Sequence, residues 1–536
     1  MPKSPINLPN NIKMNFSRIF SLVFSLSIVF AARADVKLAS PFSDHMVLQR
    51  EALVPVWGWA NPGEKVSVSF NKQSKTVTTG NDGKWMVKLD KLSAGGPYTM
   101  TVKGNNSIAI NDVYVGEVWL CSGQSNMDMT VAKEDRYWCG VFNEAEELAS
   151  ANYPLIRVID ADFTPSIPVL NEIKTVGWEI VSPKTVGHMS AAAYFFARDL
   201  QKKLNVPVGL VVTSYGASTA EAWISKPALE ADPKFANLLS NFDGKVKKYA
   251  AALSDTALQH KAQLDLAQWK IDTARARVEG KALPRRPNTG GQNPERDQHN
   301  PYVLWNGMVA PLVPYAIKGA LWYQGESNGP SADIYKNIME ALVADWRKQW
   351  GQGNFPFIYV QLANHQALIT QPVKDDPMVT VRNAQLQNLS IPNTAMVVAI
   401  DNADPNDAGN IHPKNKQEIG RRLTLAGLAL AYNTKVPYMG PVYSKMQVMG
   451  NSIRIQFTHT DGGLVAKDGK LQGFAIAGAD NKFVWADARI EGDAVVVSSP
   501  EVSSPVAVRY AWGKNPLSSL YSKAENLPAS PFRTDN

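Results

Sequence analysis

The sequence predicts an α/β protein: a three-layer α/β/α domain on a parallel sheet, flanked by β-sandwich-type domains at both ends. Three observations predict it. From about residue 111 to 436, short apolar runs alternate with amphipathic helical stretches, the pattern of a parallel sheet covered by helices. From 35 to 110, and again from 437 to 536, only strand-length runs broken by turn residues occur. A chain of 536 residues also exceeds what one core supports, so two or three domains are expected.

Taken in order, residues 1–34 read as an export signal. Lys3, Lys13 and Arg18 precede the apolar run from Ile19 to Phe30, and Ala32-Arg-Ala34 supplies small residues at the cleavage spacing. The run is short for a bilayer span and no later stretch resembles one. No membrane association is therefore expected after cleavage, and the expected location is periplasmic or extracellular. No cysteine stands at the cut, so lipid anchoring is not expected either. Cleavage would remove four basic and no acidic residues, lowering the formal charge from +7 to +3. That balance makes no case for nucleic acid or for an anionic membrane surface. Cys121 and Cys139 are the only cysteines; they either pair in an oxidising compartment or sit as buried thiols.

In the first β domain, Val54-Pro-Val-Trp-Gly-Trp59 and Lys65-Val-Ser-Val-Ser-Phe70 are separated by Asn61-Pro-Gly63, with further turns at Asn81-Asp-Gly83 and Gly95-Gly-Pro97. The strand Asp112-Val-Tyr-Val-Gly-Glu-Val-Trp-Leu120 opens the α/β region. Strands over 155–159, 207–212, 319–323, 355–361 and 395–400 follow. Helices over 190–204, capped by Ser190, over 334–349 and over 414–432 lie between or after them. An insertion at about 229–300 interrupts this rhythm, with alanine- and lysine-rich helix over 245–279 and a polar Pro/Gly loop over 284–300. It reads as a solvated excursion rather than a substrate lid. Ser452-Ile-Arg-Ile-Gln-Phe457, Ala494-Val-Val-Val-Ser498 and Val506-Ala-Val-Arg-Tyr510 are strands of the last domain.

Ser125 stands in Gly123-Gln-Ser-Asn-Met127, immediately after the first strand of the α/β region. A serine at the carboxyl end of a buried strand can face solvent while the sheet holds it rigid. This is not the Gly-x-Ser-x-Gly elbow, and taken alone the tripeptide is a weak signal. A serine nucleophile needs a base. Of seven histidines, His188, His365 and His412 fall in the α/β region outside the insertion. His412 lies in a loop after a strand and before the last helix, on the same rim as Ser125, which favours it. A developing oxyanion needs fixed donors. The amide of Gly216, after a strand, and the side chain of Gln324, in Trp322-Tyr-Gln-Gly-Glu-Ser-Asn328, are candidates beside the amide of Ser125.

These blocks carry a resemblance. Together with Ile411-His-Pro-Lys-Asn-Lys-Gln-Glu-Ile-Gly-Arg-Arg-Leu423, the Ser125 and Gln324 blocks resemble the sialate O-acetylesterase family within the SGNH (GDSL-like) hydrolases. Phe42-Ser-Asp-His-Met-Val-Leu-Gln49, Val56-Trp-Gly-Trp59, Asn300-Pro-Tyr-Val-Leu-Trp-Asn-Gly-Met308 and the segments 505–510 and 531–533 extend the likeness over nearly the whole mature chain. It implies an SGNH-like α/β domain, Ser125 as nucleophile, His412 as base, and an oxyanion hole from Ser125, Gly216 and Gln324, with Asn328 as a substitute. One departure stands out. Many SGNH enzymes carry an aspartate three residues before the histidine, and here that position is Gly409. Asp407, Glu326 or a backbone carbonyl is left to orient the imidazole.

The resemblance implies an O-acetylated carbohydrate as substrate, on a sialic acid or on a polysaccharide such as xylan. A carbohydrate-binding protein without turnover and an esterase of longer acyl chains are the competing readings. No His-Glu-x-x-His or phosphate-binding glycine loop occurs, so neither a metal nor an organic cofactor is expected.

Overall fold

The computed structural model describes residues 35–535 apart from 280, 282, 286, 288–292, 374 and 375. The predicted export signal and part of the polar loop of the insertion lie outside the described residues. Among those described, no helix is long and apolar enough to cross a membrane.

One strand organises the rest: Ser107–Gly123, 17 residues long. Its first half pairs antiparallel with Gly95–Lys103 and parallel with Val47–Gln49. Its second half lies between Val208–Ser214 and Gly319–Tyr323, parallel to both. The strand thus runs unbroken across the 110/111 division drawn from sequence. Around it the central sheet takes the order Trp178–Val181, Tyr153–Asp160, Val208–Ser214, Ser107–Gly123, Gly319–Tyr323, Phe357–Val360, Thr394–Val397. Every neighbouring pair is parallel except the first, where Trp178–Val181 is an antiparallel edge. The nucleophile candidate follows the middle strand of this sheet.

The central strands are buried on both faces, as their unbroken apolar runs require. Alternation along the strands assigns the faces. Trp119 and its neighbour Gly319 point one way, and the Trp119 ring meets Phe196 of the helix Ala191–Leu204 edge-on at 5.0 Å. Trp322 points the other way and meets Trp346 of the helix Tyr335–Trp350 at 5.8 Å. The helices Ala191–Leu204 and Lys416–Tyr432 cross closely on the first face. A methyl on Gly420 would lie 2.3 Å from Phe195 Cβ, so only glycine allows that approach. Ser190 caps its helix by accepting from Ala193 N, and Asn415 caps the last one by accepting from Glu418 N.

Before the central sheet, Lys37–Leu38, Val54–Trp59 and Lys84–Leu89 form a separate three-stranded sheet. Lys84–Leu89 buries alternate residues, as does Lys65–Phe70 in the sheet that joins Ser107–Gly123. The described part of the insertion carries two long helices, Ala236–Ser254 and Thr256–Val278. The second leaves Leu258, Leu264, Ile271 and Val278 exposed. After the last helix come three small antiparallel sheets, the largest of them Val442–Met449, Ser452–Thr458, Ala494–Ser498 and Asp487–Glu491. The fold is therefore the expected α/β domain with β-sheet regions before and after it.

Candidate active site

The turn that carries Ser125 begins at Gly123, whose φ of 145° disfavours any side chain and whose added methyl would lie 2.2 Å from Tyr323 O. Gln124 N donates to Tyr323 O at 3.0 Å. Its side-chain oxygen accepts from the amides of Gly325 and Ser327, both at 3.2 Å. Two strand ends are thereby locked together. Ser125 starts a four-residue helix, Ser125–Asp128, and is 8% exposed.

His412 meets it from the loop before the last helix. Nε2 lies 2.8 Å from Ser125 Oγ, across 287 positions of sequence. The other ring nitrogen, Nδ1, lies 3.1 Å from Asn410 Oδ1, which also accepts from His412 N at 3.0 Å. Asn410 Nδ2 in turn donates to Asp407 Oδ2 at 3.0 Å. These partners fix the orientation of the amide, so its oxygen faces the ring. An oxygen that can only accept requires Nδ1 to carry the proton, leaving the Nε2 lone pair for the serine hydroxyl. Trp138 lies over the imidazole at 4.8 Å between ring centroids. Burial, with the Lys416 ammonium nearby, holds His412 down at about 4, so the ring is neutral at neutral pH.

Neither carboxylate named from sequence contacts the imidazole. Asp407 reaches it only through Asn410, and Glu326 Oε1 accepts instead from Asn126 Nδ2 at 2.6 Å. The physical reason is proximity: Asn410, two residues before His412, occupies the Nδ1 position by bonding back onto its own loop. Gln324 is likewise not aimed at the serine. It is fully buried, its amide protons go to Ser218 O and Asn328 Oδ1, and its oxygen accepts from the Tyr335 hydroxyl. Asn328 is spent on Glu221 and Ser331. Gly216 does lie beside the nucleophile candidate, since a methyl on it would come 3.7 Å from Ser125 Cβ. The amides of Gly216 and Ser125 make no backbone bond to the protein among the described residues.

The two rival histidines lie elsewhere. His188 is exposed and pairs with Glu179 at 2.8 Å. His365 is buried with Nδ1 unpartnered, and burial together with Arg382 and Lys514 keeps it at about 4. Asn410, Asn126, Trp138 and Lys416 were not singled out from sequence; the one available signal was an asparagine at turn spacing from His412. Cys121 and Cys139 are free and buried. Among the described residues no group of His, Cys, Asp and Glu is placed to hold a metal ion.

A family profile described as carbohydrate esterase, sialic acid-specific acetylesterase, matches residues 300–429. The sialate O-acetylesterases of Pongo abelii and Homo sapiens are each 30% identical to this chain, covering 92% of it and 92% of their own length. The crystal structure of a carbohydrate acetylesterase from Xanthomonas citri superposes with a TM-score of 0.75 at 32% identity, over 94% of this chain and 100% of that one.

Proposed function

The chain belongs to the sialate O-acetylesterase family, and from that premise we propose that it removes O-acetyl groups from carbohydrates, with Ser125 as nucleophile and His412 as base. The observation that carries the mechanism is the 2.8 Å approach of His412 Nε2 to Ser125 Oγ with Nδ1 held by Asn410. Nε2 takes the hydroxyl proton as Oγ attacks the acetyl carbonyl. The amides of Ser125 and Gly216, which make no backbone bond among the described residues, are the donors assigned here to the developing oxyanion, and donors fixed in advance favour the transition state over the ground state. As the tetrahedral intermediate collapses, the imidazolium gives its proton to the departing sugar oxygen. Water, deprotonated by the same imidazole, then attacks the acetyl-enzyme, releasing acetate and restoring Ser125.

An O-acetylated sialic acid is the substrate that the family points to, and an acetylated polysaccharide such as xylan is the alternative with the same chemistry. Export to the periplasm or the outside follows from the basic residues and apolar run of 1–34, and the amino terminus of the mature protein tests it.

The deciding experiment is acetate release from O-acetylated sialic acid, acetylated xylan and an aryl acetate by the parent and Ser125→Ala. Loss of the nucleophile should cost on the order of a thousandfold or more. Equal rates would remove Ser125 from the mechanism. Failure of a fluorophosphonate to label Ser125 in the parent would favour a binding protein instead.

A further inference from the structure

Beneath the Ser125–His412 pair lies a buried chain of three side chains that the proposed mechanism does not use. Lys416, at the start of the last helix, has no solvent exposure. Its ammonium donates to Asn126 Oδ1 at 2.8 Å and Pro413 O at 2.7 Å, and stands 5.5 Å from the centre of the Tyr323 ring. Asn126, also fully buried, donates from Nδ2 to Glu326 Oε1 at 2.6 Å and to Ile411 O at 3.1 Å. The second oxygen of Glu326 is buried without a partner. Asn126, the residue after Ser125, therefore joins the carbonyl just before His412, a buried cation and a buried carboxylate.

Burying two charges in this way costs several kcal/mol per ion, and apolar side chains of similar size would pack there at lower cost. A purely structural part leaves that choice of residues unexplained. We propose that Asn126 and Lys416 are positioning residues for the base: Asn126 clamps the His412 loop to the nucleophile turn, and Lys416 is the fixed cation whose field acts on the imidazole. The inference rests on the Ser125–His412 reading and adds the device that holds and tunes it.

On the acidic side the charges left around the imidazole are cations, and Lys416 is the fully buried one. His412 is faced by Lys416 from the last helix, by Asp407 through Asn410 on its own loop, and by Arg136 across Trp138; Arg136 pairs with Asp128 at 3.1 Å, a carboxyl that burial pushes up to about 6. Burial raises Glu326 above its ordinary value and lowers Lys416 to about 7. On the acidic side the carboxyl is therefore neutralised while the ammonium keeps its charge, and a like charge disfavours the imidazolium.

The test is the acidic limb of kcat/KM for an aryl acetate, recorded for the parent, Lys416→Met, the double variant Lys416→Met/Glu326→Gln, and Asn126→Ala. The double variant removes cation and carboxylate together, so it leaves no uncompensated buried charge where the single variant strands Glu326. Loss of the cation should move the limb up by about one pH unit in either lysine variant. Asn126→Ala should lower kcat about tenfold or more with KM nearly unchanged, as loss of alignment does. A folded lysine variant whose limb stays in place, or Asn126→Ala with the parent kcat, overturns the inference. A parent that releases no acetate and takes no fluorophosphonate overturns the esterase reading itself, so the two failures are told apart.

Discussion

Asn410 offers the sharpest perturbation of the site, because a neutral amide and not a carboxylate holds the imidazole. Its oxygen accepts from both His412 Nδ1 and His412 N, at 3.1 and 3.0 Å. Asn410→Ala removes both bonds, each worth about 0.5 to 1.5 kcal/mol net, so about 1 to 3 kcal/mol of alignment and tautomer preference is lost. At about 1.4 kcal/mol per decade, kcat should fall about 5- to 150-fold, with KM little changed. Asn410→Asp acts differently. It sets an anion against Nδ1, which favours the imidazolium and raises His412 from about 4 by roughly one to three units. A protonated imidazole cannot accept the Ser125 proton, so kcat/KM declines about tenfold per pH unit below that value. The acidic limb should therefore move towards neutrality in Asn410→Asp. Acetate release from an aryl acetate across about pH 3 to 8 measures both effects. Undiminished kcat in Asn410→Ala, or an unmoved limb in Asn410→Asp, would refute the part assigned to this amide.

Two further outcomes follow from the structure. Gly216→Ala places a methyl 3.7 Å from Ser125 Cβ and 4.0 Å from Asp128 Oδ2, contacts the fold accommodates. Its melting temperature should match the parent while kcat/KM drops on the order of tenfold, because the methyl occupies space beside the nucleophile that the ester needs; an unchanged rate would show that the substrate does not pass over Gly216. Arg382, fully buried, donates to the carbonyls of Leu362, Ala363, Gly513 and Lys514. Arg382→Met strands those acceptors and should lose about 3 kcal/mol or more in urea denaturation, whereas a loss under about 0.5 kcal/mol would show that the guanidinium ties nothing together.

What sequence patterns reveal here is placement, and what they hide is direction. The strand ends were legible because six parallel strands buried on both faces leave long apolar runs, and a serine or histidine just past such a run falls on the rim. That reasoning located Ser125, Gly216, Gln324 and His412 at the ends of strands or the loop beyond. It could not tell that Gln324 turns inward to Ser218 and Asn328, since rotamer and partner depend on neighbours far away in the chain. Lys416 was hidden for a related reason. Lysine in an amphipathic helix signals the wet side, and only tertiary burial against Asn126 and Tyr323 reverses that expectation. Asn410 escaped because orientation of a catalytic imidazole suggests a carboxylate, while a short loop bonding back on itself serves with an amide. The short antiparallel edge Trp178–Val181 and the helix Pro377–Gln387 left no periodic signal long enough to stand out.

The 17-residue strand Ser107–Gly123 has a mechanical meaning. One end is stitched into the leading β region by Gly95–Lys103 and Val47–Gln49, and the other delivers Ser125. No loop separates them, only a left-handed kink at Asp112 (φ 53°), so the leading strands act as the fixed end of a cantilever whose tip is the reactive hydroxyl. Trimming the chain at residue 111 would cut through this beam and strip the hydrogen-bonded partners from its anchored half. Damage to the leading strands should accordingly register as misalignment of Ser125 well before the central sheet itself gives way.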